Sequence, residues 1–189
     1  MRVFVAGATG AVGVPLVRLL VSAGHTVAGM TRSPEGARTL AEVGAEPVVC
    51  DAYDGEGVRK AVEAFAPDVV VNELTDLPDR EEEIDSARNA RMRVEGNANL
   101  LAAAQGARYL AQSVAWETEG ETRRGVEELE RSTLAAGGVV LRYGFFYGPG
   151  TYHEGGDLPP EPRVHVEEAA RRTVEALDAP SGVVVIVDP

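Results

Sequence analysis

Apolar residues in this chain fall into short unbroken runs, separated by stretches in which they recur three and four positions apart. Residues 2–6, 25–30, 46–50, 68–72, 108–112, 138–143 and 183–187 have strand length and are dominated by valine and other apolar residues. Residues 14–23, 34–43, 55–65, 82–104, 123–136 and 166–178 carry the period of helices with one buried face. The strands are apolar throughout rather than alternating, the pattern of a sheet covered on both faces. Strands alternating with helices predict parallel pairing through right-handed crossovers, hence an α/β fold with a doubly wound parallel sheet of about seven strands. At 189 residues the chain suits a single domain, 1–189. Residues 144–165 are rich in Gly, Pro and Tyr, lack periodicity, and are expected as loop.

The first strand empties into Gly7-Ala8-Thr9-Gly10-Ala11-Val12-Gly13, which opens the first helix. A tight glycine turn at a helix N-terminus leaves backbone N–H groups without helical partners, aimed where the helix dipole favours an anion. The first glycine turns the chain, the second admits a pyrophosphate, and the third lets helix and strand pack closely. Gly7, Thr9, Gly10, Ala11, Val12 and Gly13 are therefore expected to hold a dinucleotide. The Gly-x-x-Gly-x-x-Gly spacing resembles the short-chain dehydrogenase/reductase superfamily, in its extended and atypical branch.

Charge narrows the partners. Thirty acidic against 18 basic residues give a net charge of −12, which argues against nucleic acid or an anionic membrane. No apolar stretch approaches membrane length, and the chain leads straight into a strand, so a cytoplasmic address is expected. The single cysteine, Cys50, reads as a small buried hydrophobe. No metal-ligand spacing is present. The charge run 79–85 reads as a solvated helix start.

A ribose-binding carboxylate is expected at the end of the second strand, but the chain reads Met30-Thr31-Arg32-Ser33 there. Arg32 suits a 2′-phosphate, with Thr31 and Ser33 as hydroxyl donors, so the expected cofactor is NADP(H) rather than NAD(H); a merely solvated arginine is the alternative. In the superfamily an aspartate after the third strand commonly accepts from adenine, and Asp51-Ala52 is similar, though Asp51 also suits a turn. The fourth strand ends in Asn72-Glu73-Leu74-Thr75, whose Leu74 and Thr75 are expected beneath the ribose; Glu73 is free to face either way.

Later segments resemble the NAD-dependent epimerase/dehydratase family: residues 68–75, 89–101, 111–113, 141–150, with Gly144 expected at the cofactor, and 164–170. The resemblance implies a Rossmann fold and a homodimer through helices 82–104 and 123–136. It also implies a Tyr-x-x-x-Lys pair on the helix after the fifth strand, which this chain lacks. Thr122 and Val126 fall at those positions, and the only lysine is Lys60, on another helix. Candidate catalytic residues are then Ser113, which also suits a structural turn, and Tyr143 and Tyr147, which also suit packing, with His153 in reserve. His165 is expected to tie a loop to the last helix, His25 to lie at a turn, and Trp116 either to cover the site or to fill core. The residues 151–163 replace the family's larger substrate-binding segment. An NADP(H)-dependent oxidoreductase acting on a small carbonyl or alcohol is the leading expectation. A non-catalytic NADP(H) sensor resembling NmrA-like regulators, or a non-redox lyase or isomerase, is the alternative.

Overall fold

The computed structural model describes residues 1–155 and 158–189. In chain order the main elements are β1 (Arg2–Ala6), α1 (Gly13–Ser22), β2 (Thr26–Thr31), α2 (Pro34–Glu42), β3 (Glu46–Val49), α3 (Gly55–Phe65), β4 (Val69–Asn72), α4 (Ser86–Arg91) and α5 (Asn97–Ala103). There follow β5 (Arg108–Val114), α6 (Gly120–Ala135), β6 (Val139–Tyr143), β7 (Phe145–Tyr147), β8 (Arg163–His165), α7 (Val166–Glu175) and β9 (Gly182–Ile186).

Seven strands form one parallel sheet in the order β3-β2-β1-β4-β5-β6-β9. The order reverses between β1 and β4, and loops leaving the ends of these neighbours diverge there to open a crevice. Strand periodicity divides the core into two layers. Val3 and Val5 of β1 and Val69 and Val71 of β4 face Leu16 and Leu20 of α1 and Ala169 and Ala170 of α7. The intervening Phe4 and Val70 face Val58 and Val62 of α3, Leu100 of α5 and Leu129 of α6.

Helix boundaries follow their caps. Ser33 Oγ accepts from Gly36 N–H at 2.9 Å to start α2 behind Pro34, and Asp54 does the same for α3 through Gly57 N–H. The long helix expected from residue 82 begins instead at Ser86. Asp85 holds an extended backbone and accepts from the N–H groups of Ala87 and Arg88, while Glu81–Glu83 form a separate 3₁₀ turn. Between α4 and α5 the helix widens into a π turn, Met92–Gly96. Gly125 of α6 lies so close to α4 that a Cβ there would stand 2.8 Å from Ala90 Cα.

The segment expected as loop contains β7 and β8, which pair in parallel with Phe145 opposite Arg163. Both are three-residue strands, too short for a periodic signal, and their pairing partners lie far apart in sequence. Gly156 and Asp157, within the expected reduced substrate segment, lie outside the described residues. Among the described residues, no helix is long and apolar enough to cross a membrane.

Candidate functional site

The glycine loop separates into two structural glycines and one open one. Gly7 has φ +79° and stands under the end of β4, where a Cβ would lie 2.5 Å from Glu73 O. A Cβ on Gly13 would lie 2.2 Å from Gly7 O, so α1 docks only on a glycine. Gly10 instead lines the crevice, and among the described residues beyond its chain neighbours its Cβ position meets just Gly7 O, at 3.3 Å. Among the described residues, the N–H groups of Ala11, Val12 and Gly13 find no backbone acceptor. Three free donors at the head of a ten-residue helix, beside a glycine that leaves room, fit a pyrophosphate.

At the end of β2, Thr31 is buried and its Oγ1 lies 3.3 Å from Thr9 Oγ1. Arg32 is exposed, and its Nη1 stands 3.5 Å from Asp76 Oδ1. Asp76 was not singled out by sequence. It is buried, its N–H donates to Asn89 Oδ1, and its other oxygen takes Arg88 Nε at 2.7 Å. The tight partner of Asp76 is therefore Arg88, which leaves Arg32 loosely held beside the Ser33 cap. Asp51 Oδ1 accepts from Tyr53 N–H at 2.9 Å, the turn role weighed for it, and the carboxylate is exposed. Ala52 is buried beneath it, and Leu74 N–H donates to Asn72 Oδ1. Burial, then the acids Asp54 and Asp51, raise the pKa of the half-buried Cys50 thiol.

From the glycine loop a cavity of about 560 Å³ runs outward along the ends of β4, β5 and β6. Thr9, Gly10 and Ala11 line its inner end together with Thr75. Gln112, Val114 and Trp116 line it from β5 and the turn beyond, Thr122 from α6, Asn89 and Arg93 from the α4 helix and its π turn, and Phe145, Phe146, Tyr152 and His153 from the 144–165 segment. Trp116 stacks on Phe145 with ring centroids 3.9 Å apart. Tyr152 Oη donates to Pro78 O, and His153 N–H donates to Thr151 Oγ1.

None of the three catalytic candidates lines this cavity. Strand alternation sends Gln112 and Val114 into it and Ser113 to the other face, where the serine hydroxyl donates to Glu130 Oε1 at 2.6 Å and is fully buried. Tyr143 is sealed in the core between Glu73 and Thr173. Tyr147 turns outward to donate to Asp188 Oδ2 at 2.9 Å, with His165 against the edge of its ring. Gly144 serves packing instead of cofactor approach, since a Cβ there would stand 2.6 Å from Arg163 Cα. Thr122, at the position of the missing tyrosine, does line the cavity, while Val126, at that of the lysine, packs inside. His165 accepts from Glu167 N–H to cap α7, and His25 lies beside the N-terminal amine.

Besides Asp76, the burial of Glu73 and of Arg93 is not evident from the sequence. Glu73 at the end of β4 has its pKa pushed up to about 8 by burial, which the hydrogen bond from Tyr143 only partly opposes. Arg93 in the π turn is 5% exposed, and burial lowers its pKa to about 10 against the opposing pull of Glu130.

Residues 3–137, from β1 to the end of α6, match the profile of the NAD dependent epimerase/dehydratase family. The chain belongs to the NAD-dependent epimerase/dehydratase family. Within it, the chain is 39% identical over 180 residues to a 3-diazoavenalumate denitrifying reductase of a Streptomyces species, covering 80% of this chain. The chain spans 58% of that relative's length. A 62-residue stretch is 42% identical to the uncharacterized protein C2A9.02 of Schizosaccharomyces pombe, covering 33% of this chain and 21% of that protein. The fold is that of the Thermus thermophilus UDP-glucose 4-epimerase, crystallised with NAD, at TM-score 0.81 and 21% identity over 99% of this chain and 78% of that one. Bordetella bronchiseptica WbmH, also in complex with NAD+, superposes at TM-score 0.77 with 19% identity, over 99% of this chain and 75% of that one. Where the family resemblance leads one to expect the catalytic tyrosine and lysine, the chain carries Thr122, a hydroxyl, and Val126, a hydrocarbon, neither able to exchange a proton near neutral pH.

Proposed function

We propose that this chain is an NADP(H)-dependent reductase whose substrate, after accepting hydride, needs no proton from the protein. The observation that carries this reading is Thr122. It lines the cavity that opens from the glycine loop, yet it offers no acid where a carbonyl reductase of this family needs one. Gly10 and the free N–H groups of Ala11, Val12 and Gly13 support a pyrophosphate, and Arg32 beside the Ser33 cap supports a 2′-phosphate. NADPH, when bound, supplies two electrons as hydride and leaves as NADP+.

Reducing a ketone leaves an alkoxide that must be protonated. An aromatic diazonium group asks for less: a C–H bond forms at the ring carbon, the C–N bond breaks with its electron pair passing to nitrogen, and dinitrogen departs. The positive charge of the acceptor is discharged by the hydride, so charge balances with no proton. The name of the Streptomyces relative, a denitrifying reductase of a diazo acid, supports this substrate class. The protein's share is orientation and exclusion of water, which Trp116, Phe145 and Val114 supply.

NADPH oxidation with 4-carboxybenzenediazonium, compared with 4-carboxybenzaldehyde, tests the reading. Dinitrogen release should be coupled to NADPH loss above the protein-free rate, with the aldehyde about 10²- to 10⁴-fold slower, the usual worth of a missing general acid. Brisk aldehyde reduction would overturn it. NADPH binding without turnover of either compound would favour the NADP(H)-sensing alternative.

A further inference from the structure

Among the described residues, Arg93 is a buried cation without a counter-ion: its Nε has no hydrogen-bond partner there, and no carboxylate oxygen lies within 4.0 Å of its guanidinium. Glu130, the acid that acts on it, is already committed: Arg142 Nε stands 2.8 Å from Oε1, Arg142 Nη2 reaches Oε2, and Ser113 donates to Oε1. Withdrawing a guanidinium from water is costly unless something in the interior answers it, and native chains seldom leave such a group unanswered without a reason. The π turn that carries Arg93 is itself a departure from the regular helix of a kind concentrated at functional sites.

The cavity that Arg93 lines is also lined by the Trp116–Phe145 stack and by Gln112 and Thr122. An aromatic face and a forked cation in one enclosure select a flat ring bearing a group of geometry matched to guanidinium. A phosphate of the cofactor has its own donors at the head of α1.

We propose that Arg93 is the carboxylate-binding residue of the substrate cavity, and that this site takes aromatic or aryl-alkenoic carboxylates with the ring against Trp116. The assignment rests on the reading of this cavity as the substrate end of a hydride-transfer site. It adds to that reading the part of the substrate that does not react.

The test uses trans-cinnamate and its uncharged methyl ester, titrated calorimetrically into the full chain with and without NADP+. Trp116 is the only tryptophan, so its emission reports entry into the cavity. Cinnamate should bind the native chain about tenfold or more tightly than the ester, the worth of a charge-assisted pair. In R93M the two ligands should bind alike, NADP+ affinity should hold, and the thermal midpoint should stay or rise because a buried unpaired cation has gone. R93K, which keeps the charge and loses the fork, should fall between. Equal binding of acid and ester by the native chain would overturn the assignment, as would undetectable binding of cinnamate or full-strength binding by R93M. A parallel loss of NADP+ and cinnamate in R93M would place Arg93 at a cofactor phosphate and also overturn it. Failure of NADP+ to bind the native chain would defeat the underlying reading, while the acid–ester comparison without nucleotide would still decide the role of Arg93.

Discussion

Tyr143 Oη lies 2.9 Å from Glu73 Oε1, and the same phenol oxygen lies 2.6 Å from Thr173 Oγ1. Tyr143 donates to Glu73 Oε1, and Thr173 gives its own proton to Ala169 O at 2.7 Å. Among the described residues, the other carboxyl oxygen, Glu73 Oε2, is buried with no partner. An unpartnered carbonyl oxygen is far less costly to bury than half of a carboxylate. Burial raising the Glu73 pKa to about 8 describes the same fact from the side of titration.

Stability should therefore depend on pH through Glu73. Its folded pKa is raised above the ordinary value of 4.5, so the folded state holds a proton that the unfolded state releases. The stabilisation is complete below about pH 4.5 and is lost as pH rises through about 8, at about 1.4 kcal/mol per pH unit. E73Q keeps an acceptor for the Tyr143 hydroxyl and has nothing to ionise. Urea unfolding at pH 5, 7 and 9 should show the variant gaining on the native chain with each step. Parallel profiles for the two proteins would mean that Glu73 is charged in the fold.

Preference for NADPH over NADH should reside in Arg32 and be tuned by Arg88. Removal of Arg32 should abolish most of the difference, about tenfold for a charge-assisted pair at a half-exposed site. Arg88→Ala should also weaken NADPH, because Asp76 would then draw Arg32 from its 3.5 Å separation into a full ion pair. Equal affinities of the native chain for the two cofactors would remove the basis of both expectations.

Turnover should be indifferent to the tyrosines. Y143F and Y147F, together with S113A, should leave the rate per folded molecule within about twofold, since direct participation in proton transfer is worth about 10²-fold or more. A loss of that size in any one of them would show that its side chain leaves the packed position seen here and enters the cavity. His153 and Tyr152, which do line it, are the residues to examine in that event.

Self-association is expected through α4–α5 and α6. Ala98, Ala102, Ala135 and Ala136 all lie on the surface of these helices beside the exposed Val94 and Leu134, and small side chains permit close approach of helices. Light scattering at micromolar concentration should give twice the chain mass, and Ala98→Arg with Ala102→Arg should return it to the monomer value. A monomeric native chain would rule out this interface.

The fold was legible where the backbone itself makes the demand. Gly7 and Gly13 can hardly be other residues, and Asp54 fixes the start of α3 at the residue expected. The charge run 79–85 misled because each of its five acids suits a helix start, and only the backbone reveals that Asp85 makes the cap. Ser113 and Gln112 illustrate a second limit: a strand turns successive residues to opposite faces, so placing a site at the end of β5 does not say which of two neighbours serves it. Glu73 and Arg93 mark a third. Whether a charged residue is buried is decided by what packs over it, and the helices that enclose these two come from distant parts of the chain.

Calorimetric titration of NADP+ into the native chain and the G10A variant tests whether the glycine loop holds the pyrophosphate of NADP(H). Among the described residues the Cβ position at Gly10 meets Gly7 O at 3.3 Å, a tight contact but far short of the collisions at Gly7 and Gly13, so the variant should keep its thermal midpoint within a few degrees. It should lose NADP+ affinity about tenfold or more, because the methyl group occupies the approach of the phosphates. G7A and G13A, whose Cβ positions collide with backbone, should instead lose stability. A native chain that takes up no NADP+, or a G10A variant that binds it as tightly as the native chain does, would contradict the account.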